Sequence, residues 1–82
     1  MHEVGIASGI IDAVKKEVSG HEGARATKVG VRIGEMAGID PESLAFCFEA
    51  LIKGTEMEPL ALDIVRAGAD ELEFAYLELE EP

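Results

Sequence analysis

The 82-residue sequence predicts an α+β fold, a two-layer sandwich with two helices packed on one face of a three-stranded sheet, in the order helix, strand, helix, strand, strand. Two observations of period carry this reading: apolar residues recur at helical spacing in two stretches, and they alternate with polar residues in three others. A third sets the layering. Each stretch has one apolar side, and a sheet covered on one face by both helices buries all of them. The length suits a single domain over residues 1–82, without linker or internal repeat.

The first helix is carried by "GIASGIIDAVKKEV", with Ile6, Ile10, Ile11, Val14 and Val18 as its buried stripe. Lys15 and Lys16 fall in its last turns, where cations suit the helix dipole, and "SG" follows as a stop. Gly5 and Gly9 weaken its opening, each by about 1 kcal/mol if it lies in the helix interior. "GHEGARA" is a loop. In "TKVGVRIG", Thr27, Val29, Val31 and Ile33 share one face, and Lys28, Gly30, Arg32 and Gly34 the other, which is the pattern of a half-buried strand. Two glycines on the outer face admit a close approach to the backbone, or are merely tolerated there.

The second helix has stronger boundary signals. Asp40 suits the N-cap and Pro41 the first helical position. Gly54 suits the position after the C-cap, and Leu44, Cys47, Phe48, Leu51 and Ile52 form the stripe. "LALDIVR" alternates as the second strand, "AGAD" (67–70) is a turn, and "ELEFAYLELE" is the third strand. In that last strand Leu72, Phe74 and Tyr76 share one parity while Leu77 and Leu79 have the other, so the phase slips near Tyr76, which suggests a bulge or a strand covered on both sides late in its run. The short turn makes the last two strands a hairpin. The strand order stays open between a central third strand and a direct parallel pairing of the first two.

Charge narrows the function. Seven Lys and Arg against seventeen Asp and Glu give 7 − 17 = −10. No basic surplus exists to neutralise phosphates, so nucleic acid and anionic membrane surfaces are not expected partners, while cations and basic proteins are. The single Cys47 excludes an internal disulfide and any multi-cysteine zinc site. There is no transmembrane run and no signal peptide, and the expected location is the cytoplasm. No nucleophile, base and oxyanion set can be assembled, so the chain is not read as an enzyme. His21, between Gly20 and Glu22, is a solvated loop histidine with an auxiliary metal role left open.

The one concentrated donor set is the opening "MHE". The α-amine of Met1 ionises near pH ~8, so a metal can displace its proton near neutrality. A metal held by that amine and the His2 backbone nitrogen closes a five-membered ring, and the same nitrogen with His2 Nδ1 closes a six-membered one. Three nitrogens thus share a plane without help from the fold. The Glu3 amide competes with the Met1 amine for one position, because a planar centre gives the His2 nitrogen only two cis neighbours. Another segment, water or a partner must complete the set. Planar ligation through deprotonated amides points to Ni(II) or Cu(II) rather than zinc.

"MHEVGIASGIIDAV", "KVGVRIGEMAGIDPESLAFCFEALIKGT" and "LALDI", taken together, resemble the nickel-binding domain of the HypA/HybF hydrogenase-maturation family. The resemblance runs from Met1 to about Val65 and resumes in "ELEFAYLELEE". It implies a nickel metallochaperone that hands Ni(II) towards the large subunit of [NiFe] hydrogenase, or towards urease maturation proteins, alongside a HypB-type GTPase. It also implies a nickel site at Met1, His2 and Glu3, with His2 giving its imidazole and backbone nitrogen and Asp40 in "GIDP" lying alongside. Nickel is then cargo and no catalytic cofactor is expected.

Two departures stand out. The family carries a zinc domain with two CxxC pairs between its second and third strands; here the turn 67–70 stands in that place, and no zinc site is expected. The family also usually has serine where this chain has Gly5, which removes a capping box and makes Val4 and Gly5 a short hinge before the first helix. The alternative function is a metal-independent interaction module or minimal scaffold of the same descent, including one that forms a homodimer through a strand edge.

Overall fold

A computed structural model describes residues 2–82. The elements follow the predicted order: α1 (Glu3–Ser19), β1 (Arg25–Gly34), α2 (Pro41–Ile52), β2 (Ala61–Ala67) and β3 (Leu72–Glu80). Both helices cover one face of a single three-stranded sheet. Between the layers lie Ala7, Ile10, Ile11 and Val14 of α1, Val29, Val31 and Ile33 of β1, Leu44, Phe48 and Ile52 of α2, and Leu60. Leu44, Phe48, Val14, Val29 and Val31 are the largest fully buried side chains, each stabilising the fold by about 1.5–3 kcal/mol relative to an exposed position. Two stripe residues of α2 sit further out than their spacing predicts. Leu51 is exposed, and Cys47 is half-buried against the edge of the core.

The strand order is β2-β1-β3, with β1 parallel to β2 and antiparallel to β3. This settles the open choice in favour of direct parallel pairing and corrects the hairpin: β2 and β3 are not neighbours. A parallel pair needs a crossover of helical length, and α2 supplies it. Residues 68–71 therefore step across the end of β1, where Gly34 N–H donates to Glu71 O at 2.8 Å and Met36 N–H to Ala69 O at 2.9 Å. Only glycine fits beneath this step. A Cβ at Gly34 would lie 2.2 Å from the Ala69 carbonyl oxygen. Ala69 itself takes a positive φ of 52° to make the crossing.

The second outer-face glycine has a different reason. Gly30 pairs with Asp63 on one side and Tyr76 on the other. The Tyr76 ring lies flat over it, reaching across the central strand so that its hydroxyl donates to Asp63 Oδ2. A Cβ at Gly30 would sit 2.1 Å from the ring. The Asp63 bond, with burial and the Asp63 charge adding to it, pushes the Tyr76 hydroxyl up to about 12.

The phase slip in the last strand is a bulge. Gly30 pairs with Tyr76 but Val31 pairs with Phe74, leaving Ala75 as the extra residue, and a second irregularity on β1 leaves Thr27 over. The bulge lets Leu72 and Phe74 lie on the helix side with Val31 and Ile33, turns Tyr76 outward, and returns Leu77 inward against Val29.

Candidate metal site at the helix starts

Helix α1 begins two residues earlier than its apolar periodicity suggests. Its N-cap is His2, and Val4 and Gly5 are helical, so there is no hinge between the N-terminal donors and α1. Glu3 is the reason. It occupies the buried stripe, one turn before Ala7, and is only 6% exposed. Its Oε2 accepts the Asp40 backbone N–H at 3.0 Å. Donated hydrogen bonds hold its carboxyl down at about 2, against the desolvation that burial imposes. The missing serine at position 5 thus has no bearing on the cap, which lies three residues upstream.

Asp40 donates this bond while capping α2. Its Oδ1 accepts Glu42 N–H at 3.1 Å, its Oδ2 accepts the Ser43 hydroxyl at 3.0 Å, and its carbonyl accepts Leu44 N–H at 2.9 Å. In an ordinary capping box the third helical residue returns a carboxylate to the N-cap amide. Here that residue is Ser43, and Glu3 from the other helix supplies the carboxylate instead. Sequence reasoning missed this partnership because it assigns caps within one helix, and a glutamate at an apolar stripe position reads as an exposed end. Ser43 was likewise unremarkable in the sequence; its spacing of three from an N-cap aspartate was the available signal.

The structure therefore brings Glu3 and Asp40 into direct contact and puts exposed His2 immediately before them. Met1 lies outside the described residues. The imidazole of His2 makes no capping hydrogen bond. Among the described residues no group of three or more His, Cys, Asp or Glu side chains is placed to hold a metal. His21 stands at the other end of α1, about 25 Å away by helical rise, with Nδ1 3.8 Å from Glu81. It is no part of this site.

The electrostatics suit a cation. The starts of α1 and α2 meet here, and their exposed N–H groups carry positive partial charge. The Glu3 and Asp40 carboxylates offset that charge at the point where it would repel a metal ion.

Residues 1–71 match the family model described as HypA, "Hydrogenase/urease nickel incorporation, metallochaperone". The hydrogenase maturation factor HypA of Chlorobium limicola is 45% identical over 69 residues, covering 84% of this chain and 60% of that protein. That of Azotobacter chroococcum is 38% identical over 65 residues, covering 79% and 58%. This chain thus spans 60% or less of the length of these two relatives. The solution structure of the Ni metallochaperone HypA from Helicobacter pylori shares the fold, with a TM-score of 0.73 at 20% identity over 93% of this chain and 72% of that one. The family description is that of a metallochaperone rather than an enzyme. Among the described residues no helix is long and apolar enough to cross a membrane. With the model matching from Met1 through the crossing at 68–71, the chain belongs to the HypA family of nickel-incorporation metallochaperones.

Proposed function

We propose that this chain is a single nickel-binding domain that carries Ni(II) at its N-terminus, held by the Met1 α-amine, the His2 backbone nitrogen and the His2 imidazole. The observation that carries the reading is the Glu3–Asp40 hydrogen bond, which fixes the backbone directly after His2 against the start of α2. Glu3 and Asp40 act as positioning and charge-balancing residues, since Glu3 Oε2 and both Asp40 carboxylate oxygens already accept protein hydrogen bonds. The fourth planar position is filled by water or by the acceptor, which leaves the ion accessible for transfer. A buried four-ligand site would release it less readily.

Delivery is the second part of the proposal. The expected recipients are the large subunit of a [NiFe] hydrogenase or urease maturation proteins, with a HypB-type GTPase as co-worker. The family's description, hydrogenase and urease nickel incorporation, supports this. The crossing at residues 68–71 takes the place of a zinc domain in this reading, and zinc has no role in the chain.

Nickel titration of three proteins tests the site: the chain with its native N-terminus, His2→Gln, and the chain extended by residues before Met1. We expect tight stoichiometric binding by the first alone. Equal binding by all three would refute the terminal chelate.

A further inference from the structure

We propose that the free edge of β3, with the groove between it and α1, takes an extended segment of a partner protein that alternates basic and apolar side chains. Among the described residues β3 pairs with β1 on one side only, and its other side offers backbone N–H and C=O groups to an added strand.

On the helix side of that edge Leu72 and Phe74 are 47% and 41% exposed. They border a groove of about 270 Å³ whose far wall is Ile6, Gly9, Ile10 and Ala13 of α1. A Cβ built at Gly9 meets nothing within 4 Å, so the groove has room for an incoming apolar side chain.

On the outer side the charges form columns. β1 presents Arg25, Lys28 and Arg32, and β3 presents Glu80, Glu78 and Glu73 beside them. Arg25 meets Glu80 at 2.8 Å and Arg32 meets Glu73 at 3.4 Å. A further strand beyond β3 continues the alternation only if its outward side chains are cationic. Its inward side chains, one residue out of phase, then face the groove.

The same pattern argues against a second copy of this chain as the occupant. Antiparallel β3–β3 pairing would bring the outward Glu73, Glu78 and Glu80 of each copy onto one shared face, in a chain of net charge −10. The Ala75 bulge also interrupts the regular edge, which suits one short added strand rather than open-ended stacking.

The test uses an eight-residue peptide of alternating lysine and valine, a peptide of the same composition rearranged to helical period, and an alternating glutamate–valine peptide. We expect the first to protect backbone amides of β3 from hydrogen exchange. We expect the rearranged peptide to bind at least about tenfold more weakly, and the acidic one not to bind. Combined Glu73→Gln, Glu78→Gln and Glu80→Gln should weaken binding by about tenfold with the circular dichroism spectrum unchanged. No binding by the alternating peptide, equal binding by the rearranged one, protection on β2 instead of β3, or a dimer of the chain formed through β3 would each overturn the proposal.

Discussion

The Glu3 carboxylate accepts the backbone N–H of Asp40 at 3.0 Å, so the first turn of α1 is fastened to the first turn of α2. This bond ties the residue directly after His2 to the N-cap of α2. Replacing Glu3 by Gln keeps an acceptor oxygen but removes the charge, and Ala removes both. We expect nickel affinity to fall about tenfold or more in Glu3→Ala, in the range found for residues that orient metal ligands, and less in Glu3→Gln. Isothermal titration at fixed pH and salt makes the comparison.

The Glu3 carboxyl also has a signature in pH, to which the Asp40 N–H contributes alongside its other hydrogen bonds. The Glu3 carboxyl titrates at about 2 in the fold against an ordinary value of 4.5. A depressed folded pKa means that the unfolded chain binds the proton more readily, so the contribution of Glu3 is complete above pH ~4.5 and is lost as pH falls through about 2. The stability gap between the native chain and Glu3→Gln should therefore be constant above pH 5 and shrink on acidification from there towards pH 2. Urea unfolding across that range measures it, and a gap independent of pH would contradict the assignment.

Gly30 and Gly34 should respond differently to a methyl group. At Gly30 the obstacle is the Tyr76 ring, a side chain, so Gly30→Ala should destabilise by about 1–3 kcal/mol and be partly rescued by Tyr76→Ala. At Gly34 the obstacle is the backbone of residues 68 and 69, which cannot rotate away. Gly34→Ala should be the worse of the two, with no rescue by any side-chain truncation. Denaturant midpoints of the single and double variants decide this.

Gly5 is helical and exposed, and a Cβ there meets nothing within 4 Å. Gly5→Ala should stabilise the domain by about 0.5–1 kcal/mol through helix propensity. In a domain of this size that raises the melting temperature by roughly 2–8 °C.

These expectations mark where the sequence was readable. The two helices and the alternation in β1 follow from period alone, because each apolar stripe faces one shared core, whereas the phase slip near Tyr76 left a bulge as one of two readings until the pairing of Gly30 and Val31 decided it. The outer-face glycines of β1 allowed for close approaches without requiring them, and did not say what approaches, since Tyr76 and residues 68–71 arrive from more than 30 positions along the chain. The crossing misled for a related reason. Four residues are enough for a hairpin, and only the parallel β1–β2 pairing, made possible by α2, obliges them to pass over Gly34. At the candidate site, Asp40 was legible as a cap because its partners are local. The early start of α1 was not, because what anchors it is the N-cap amide of another helix.

The central claim is that Ni(II) binds through main-chain nitrogen at a terminus held by Glu3 and Asp40. The most direct measurement is a Ni(II) titration of the chain with its native N-terminus, followed by nuclear magnetic resonance. A planar nitrogen-ligated Ni(II) is diamagnetic, so we expect saturation at one equivalent, a spectrum that stays sharp, and the largest shifts confined to about residues 2–6 and 38–44. Paramagnetic broadening, shifts centred on His21, or an unchanged response in His2→Gln would contradict the account.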